Sequence, residues 1–225
     1  MTEQLENGVI RESDENGWRF YQIEGKRYIS VTQVLDSFVE DYLKKWFIKN
    51  SAKAIEKRKS ETAAIGSKIH DDIKNGTDNR FNALAEKLGI VPIQREFVVW
   101  SKLGYAGQAD QRSTIASVGN KVYILDNKTG SFGPKAGLQM AAYKMACNER
   151  GLNVDGIGVI SVPRDPTKDA QFFDYSAHME DCEYAFCCAL DVFKTMYYKK
   201  LSNWEFQGIK SVLQYNWSFN KGAAA

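Results

Sequence analysis

Asp126 and Lys128 stand two residues apart at the end of an apolar run, Tyr123-Ile124-Leu125-Asp126-Asn127-Lys128-Thr129-Gly130. On an extended strand, residues i and i+2 point to the same face, roughly 6–7 Å apart. A carboxylate and an ammonium so placed can address one reacting group. The acid suits a metal ligand; the amine suits a charge stabiliser or a proton handler. Gln139 and Tyr143 follow at one-turn spacing, and His70 and Asp110 precede. These residue types outline metal-assisted phosphodiester chemistry.

The surrounding sequence must supply the elements that bring them together. Trp18–Ile23 and Lys26–Val31 flank Glu24-Gly25 and predict a hairpin. Ser30 or Thr32 then opens a helical turn through Val34 and Leu35. Asp41 to about Asn75 has helical periodicity, with Leu43, Trp46 and Phe47 on one apolar stripe and Ile65, Ile69 and Ile73 on another. A shorter helix spans Phe81 to Leu88 before Gly89. Three strands form a meander: Glu96–Trp100, Tyr105–Ser113 and Lys121–Asp126, with turns at Ser101–Gly104 and Gly119-Asn120. The third is apolar on both faces and belongs at the centre of the sheet. A helix from about Ala136 to Arg150 carries the stripe Leu138, Ala141, Ala142 and Met145. A strand over Asp155–Val162, an outer strand over Gln171–Ser176 and a long helix from Met179 to Lys200 complete the chain. The pattern is an α/β core without internal repeats. It reads as a single domain over residues 1–221, with the N-terminal hairpin and helical part at 1–80 and the core at 90–200; Gly222–Ala225 reads as a cloning remnant.

This order places Asp110 on the strand beside Asp126. Two hard carboxylates suit Mg²⁺ or Mn²⁺, and a cation would offset the cost of burying them. Gly107 and Ala109 leave room for a ligand against the backbone. His70 becomes a ligand candidate only in the company of the two acids. Glu96, opening its strand, can bind the metal through water or orient the attacking water; it can equally be an edge-strand surface residue. Gln139 and Tyr143 share a helix face outside the core stripe and can bracket a sugar–phosphate backbone. Two histidines in the whole chain argue against a zinc site of the multi-His or Cys type.

At 225 residues, 44% hydrophobic and 26% charged, the chain has the composition of a soluble globular protein. Its four cysteines, Cys147, Cys182, Cys187 and Cys188, do not read as an extracellular disulfide framework. No stretch is long and apolar enough to span a membrane, and the acidic start (Glu3, Glu6, Glu12, Asp14, Glu15) lacks the features of a secretory signal. A cytoplasmic protein is expected. Net charge is +2, but Lys45, Lys49, Lys53 and Lys57 recur every four residues. Such a helical stripe suits a polyanion or is a solvated face.

The ordered set Gly66-x-x-x-His70, Glu96, Gly107-x-x-Asp110, Asp126-Asn127-Lys128 and Gln139-x-x-x-Tyr143 resembles the RecB-like branch of the PD-(D/E)XK nucleases. That branch includes RecB nuclease domains, CRISPR-adaptation nucleases and mitochondrial genome-maintenance exonucleases. The resemblance covers about residues 30–145, and Ile29–Leu35 is also similar to a segment of the mitochondrial-type members. It implies a restriction-endonuclease-like core: a central mixed sheet flanked by helices, the meander plus a further strand. It also implies that His70, Asp110, Asp126 and the Asn127 carbonyl bind Mg²⁺ or Mn²⁺. Lys128 would polarise the scissile phosphate or help activate water; Gln139 and Tyr143 would hold DNA and brace the site. Asp stands at position 126 where Glu is commoner in the family. Several relatives hold an iron–sulfur cluster with one cysteine before the core and three after it. Here no cysteine precedes Cys147, so no cluster is expected, and the thiols of the last helix are read as buried.

The expected activity is a metal-dependent DNA exonuclease on single strands or free ends, with Lys45, Lys49 and Lys53 as further DNA contacts. Trp18, Phe20, Tyr21 and Tyr28, beside Arg19, Lys26 and Arg27, either stack on bases or pack on the core. Rival readings are a duplex endonuclease or recombination exonuclease, a catalytically silent DNA-binding module, and an interaction protein. By analogy, the setting is replication, recombination or repair in a phage or mobile element, in a bacterial or phage-infected cell, with a possible replication or recombination protein as partner.

Overall fold

The computed structural model describes residues 2–15, 17–38, 48–130 and 132–209. The chain begins with four strands, β1 (Thr2–Gln4), β2 (Ile10–Ser13), β3 (Arg19–Ile23) and β4 (Lys26–Ser30), each antiparallel to the next. Helices α1 (Val31–Asp36), α2 (Ala52–Lys74) and α3 (Asn79–Leu88) follow. Next come β5 (Ile90–Trp100), β6 (Tyr105–Ile115), β7 (Lys121–Lys128) and helix α4 (Pro134–Glu149). Strands β8 (Gly156–Ser161) and β9 (Gln171–Asp174) and helices α5 (Met179–Met196) and α6 (Tyr198–Asn203) end the described fold. Among the described residues the nine strands make one mixed sheet, in the order β1-β2-β3-β4-β6-β7-β8-β9, with β5 paired to β6 off that path.

Helices cover the sheet on both sides. The larger core gathers Ile124, Ile157 and Val159 with Met140 and Ala142 of α4, Phe186 and Leu190 of α5, and Val31 and Val34 of α1. The second core sets Tyr123, Leu125 and Ile160 against Ile69 and Ile73 of α2 and Phe81 of α3. Adjacent residues of β7 therefore pack into different cores, as strand alternation requires. With β6 on one side and β8 on the other, β7 is the central strand that its doubly apolar sequence predicts.

The hairpin at Glu24-Gly25 forms in register, Ile23 opposite Lys26, through a turn with φ of 50° and 72°. It is part of the main sheet: β4 pairs in parallel with the start of β6, Ile29 opposite Tyr105 and Ser30 opposite Ala106. The acidic leader also departs from expectation, because residues 2–13 supply β1 and β2. Val9 is the anchor, buried with Tyr21, Ile23, Tyr28 and Ala106 in a third apolar cluster that Leu5 joins. Their burial outweighs the flanking acids, which stay at the surface.

Strand β5 starts at Ile90, well before Glu96. Gly89 ends α3 in the left-handed conformation (φ 64°), and the β-branched residues beyond it extend the strand. The buried side of α4 is wider than a four-residue stripe. Ala136, Met140, Ala141, Ala142, Tyr143, Ala146 and Cys147 are all buried, whereas Leu138 and Met145 are only partly so. A helix packed against both the sheet and α5 has two faces to bury. The predicted last helix breaks at Tyr197 into α5 and α6. Residues 39–47 lie outside the described residues, and with them Leu43, Lys44, Lys45, Trp46 and Phe47 of the expected helical segment. The Gly222–Ala225 tail does too. Among the described residues no helix is long and apolar enough to cross a membrane.

Candidate active site

The sheet divides at β6. Strand β5 runs along one edge of β6, from Ala106 to Ile115. The other edge is shared: β4 pairs at Tyr105 and Ala106, and β7 from Gln111 to Ile115. Gly107 to Asp110 have no strand partner on that edge. A cleft of about 900 Å³ opens over this gap, and His70, Glu96, Asp110, Asp126, Asn127, Lys128, Gln139 and Tyr143 all line it. Residues drawn from α2, β5, β6, β7 and α4 thus meet at one place.

Strand β7 leaves β6 after Leu125, and a side chain takes over the connection. Asp110 Oδ2 accepts the Asn127 backbone N–H at 2.7 Å. His70 Nδ1 lies 3.9 Å from the same oxygen. Burial raises Asp110 well above the usual carboxylate range; the neighbouring Asp126 and Glu96 charges add to this, and the Asn127 N–H and Lys128 only partly offset it. A second carboxylate beside a buried one disfavours ionisation of Asp110.

Asp126 is buried, and its Oδ2 lies 2.7 Å from Lys128 Nζ. The i and i+2 positions do share a face. Gln139 spans the pair: its Nε2 donates to Asp126 Oδ1 at 3.3 Å, and its Oε1 accepts from Lys128 Nζ at 3.3 Å. Burial works against the Lys128 charge, but Asp126, with Asp110 and Asp36 adding, outweighs it and holds the amine above its ordinary value. Lys128 is therefore an ammonium at neutral pH. It presents a positive charge to the cleft.

Tyr143 is buried and in contact with Gln139, from whose Nε2 its hydroxyl accepts at 3.0 Å. Its ring occupies the space beside Gly107, where any Cβ would overlap it. The room predicted there for a ligand is filled by this ring, and Ala109 is buried in the larger core. Tyr143 sits in the core, not on a separate face. The geometry supports a bracing role for it.

Glu96 lies in the middle of β5 rather than at its start, with a left-handed backbone (φ 48°). Arg95 pairs with Gln111 and Phe97 with Ala109, so Glu96 interrupts the ladder opposite Asp110. A glutamate in that conformation within a strand is uncommon. Its side chain is half-buried and faces the cleft, not an open edge. Gln108 Nε2 donates to Glu96 Oε2 at 3.0 Å and to the Glu96 carbonyl at 3.3 Å.

The cations of the cleft differ from those predicted. Lys45 lies outside the described residues; Lys49 and Lys53 are exposed and do not line the cleft. Arg11, Arg19, Lys74 and Arg164 do line it. Lys74 was legible as the residue one turn beyond His70 on the same helix. Arg11 needed β2 to be recognised as a strand, and Arg164, in a loop, carries no local signal. The aromatic residues of the N-terminal hairpin pack inward: Phe20, Tyr21 and Tyr28 are buried, and Trp18 packs on Phe193 and Tyr197. Of these four, Tyr21 also lines the cleft. Of the α5 thiols only Cys182 is buried; Cys187 is intermediate and Cys188 exposed, and all four cysteines are free. Burial pushes the Cys147 thiol up to about 11.

The donors suit a hard divalent cation in type: carboxylates from Asp110, Asp126 and Glu96, plus the Asn127 side-chain oxygen, which is buried without a hydrogen-bond partner among the described residues. Their spacing is wider than coordination requires. Among the described residues no three His, Cys, Asp or Glu side chains are gathered closely enough to hold a metal ion. Metal binding there would draw the carboxylates closer together. No protein-family model matches the chain, and no curated protein matches it.

Proposed function

We propose that the chain is a Mg²⁺- or Mn²⁺-dependent deoxyribonuclease built on a restriction-endonuclease-like core of the RecB-like PD-(D/E)XK type, acting on single-stranded DNA or free DNA ends. One observation carries this reading: Asp110, Asp126 and Lys128 converge at a gap in the sheet, in a cleft that Arg11, Arg19, Lys74 and Arg164 also line. Acids and cations in one cleft suit a phosphodiester whose scissile bond meets a divalent ion.

In this reading His70, Asp110, Asp126 and the Asn127 carbonyl would hold the metal, with Glu96 reaching it through water. A divalent ion bound there would supply an activated water and charge for the leaving oxygen. Lys128, kept protonated by its acidic neighbours, places positive charge where negative charge builds on the phosphorus oxygens. Gln139 fixes the Asp126–Lys128 pair and Tyr143 fixes Gln139. The wall cations hold the flanking phosphates, giving affinity without sequence preference.

The test is cleavage of an end-labelled oligonucleotide with Mg²⁺ or Mn²⁺. Asp126→Ala and Lys128→Ala should each reduce the rate by at least about 10²-fold, with Asp126→Ala still binding DNA. Closed single-stranded circles should resist cleavage. An Asp126→Ala protein as active as the parent would remove the assignment.

A further inference from the structure

Glu96 has a backbone conformation that its own chemistry does not favour, and a chain of side chains from the N-terminal strands holds it there. Gln108, two residues before Asp110, grips Glu96 at both its carboxylate and its carbonyl. The remaining polar atom of that amide, Oε1, accepts from Arg11 Nη1 of β2 at 3.1 Å. Arg11 Nη2 in turn pairs with Glu3 of β1. Glu3, Arg11, Gln108 and Glu96 all line the cleft. The Arg11 contact fixes which end of the amide is the donor, so Nε2 is the end presented to Glu96.

We infer that Gln108 is a positioning residue for Glu96, oriented by Arg11 and Glu3, and that the two N-terminal strands are thereby part of the cation site. The inference rests on the proposed metal site. A left-handed glutamate in a strand costs conformational energy, and its side chain would otherwise sample several rotamers. With Oε2 engaged by Gln108, the carboxylate is held in the cleft that Asp110 also lines, at the position opposite Asp110 in the β5–β6 ladder. Its charge is then available to a cation at Asp110 rather than to solvent. Partners that orient a ligand in this way commonly change metal affinity as much as 10–100-fold when removed.

Calorimetric titration of Mn²⁺ into the metal-free chain tests this without reference to catalysis. Asp110→Ala should abolish binding. Glu96→Gln, Gln108→Leu and Arg11→Met should each weaken it, Gln108→Leu by roughly tenfold. The Glu96→Gln/Gln108→Leu double variant should bind no more weakly than Glu96→Gln alone, because Gln108 acts only through that carboxylate. A purely structural role for Gln108 would instead make the two losses additive, overturning the inference, as would Gln108→Leu binding like the parent. If Gln108→Leu fails to fold, Arg11→Met carries the same comparison with Glu96→Gln. Failure of the parent to bind Mn²⁺ would overturn the metal site itself, and is distinguishable from a parent that binds with Gln108→Leu unaffected.

Discussion

The Asn127 backbone N–H donates to the Asp110 carboxylate at 2.7 Å, joining β6 to β7 by a side chain where the ladder between them has stopped. Asp110 is therefore held next to Asp126 by a main-chain donor. The two charges repel, and the fold retains them together.

That arrangement has a measurable cost. Burial raises Asp110 above the ordinary value of 3.8, and the Asp126 and Glu96 charges add to it. The folded chain thus binds more protons than the unfolded one between that ordinary value and the raised one. Stability from this group is fully present at lower pH and is lost as pH rises across the window. Asp110→Asn should therefore melt above the parent at pH 7 in the absence of metal, by about 2–4 °C for each kcal/mol released. The gain should shrink toward pH 4. Thermal melts at both pH values check this, and a lower melting point for the variant at pH 7 would refute it.

Gly107 and Tyr143 give a second prediction. A methyl group at 107 overlaps the Tyr143 ring, so the buried ring must shift to admit it. Gly107→Ala should cost about 1–3 kcal/mol in urea unfolding. Tyr143→Phe keeps the ring and loses only the bond to Gln139, for about 1 kcal/mol. Its cleavage rate should fall less than that of Gln139→Ala. The reverse order would mean that the Tyr143 hydroxyl meets substrate directly.

Asp78 contributes to the acid limb of stability. It accepts the Arg80 and Phe81 backbone N–H groups, both at 3.0 Å, at the start of α3, and pairs with Arg80 Nη2 at 2.8 Å. Burial alone would raise its pKa, but the bonds from Arg80 and Phe81 outweigh it and lower it. Its contribution is present above the unfolded value near 3.8 and is lost as pH falls through the lower folded value. Asp78→Ala should cost about 1–2 kcal/mol at pH 7. Its stability should then vary less between pH 5 and pH 2 than the parent's.

The wall cations predict where charge matters. Lys74→Glu and Arg164→Glu should weaken binding of a single-stranded oligonucleotide and flatten its salt dependence, each lowering the slope by about one. Lys53→Glu, away from the cleft, should change both less. Fluorescence anisotropy at several salt concentrations separates these outcomes. A larger effect at Lys53 would move the DNA path toward the N-terminal end of α2, away from the cleft.

Much of the site was legible because its residues lie on regular elements. Period-2 alternation in Tyr123–Lys128 placed Asp126 and Lys128 on one face, and one-turn spacing placed Gln139 beside Tyr143. Pairing of successive strands then put Asp110 near Asp126. What the pattern hid is tertiary. The reading of Gly107 as ligand space failed because Tyr143 comes from another element to fill it. The strand character of residues 2–13 was masked by acids, since Val9 and Leu5 acquire apolar partners only when the sheet has formed. Arg11 reaches the cleft through that same assembly and Arg164 from a loop, and the reversal at Glu96 meets Gln108, a residue of the neighbouring strand. Local sequence cannot encode any of these.

The parallel pairing of Ile29 with Tyr105 sets an order of events during synthesis. Strands β1 to β4 leave the ribosome first, yet their place in the sheet does not exist until a further ~76 residues have been added, about 4–15 s at ordinary elongation rates. Through that interval Tyr21, Ile23 and Tyr28 have Val9 and Leu5 of their own segment to pack on, but not Ala106, which closes the cluster. The nascent N-terminal segment waits with apolar side chains only partly covered.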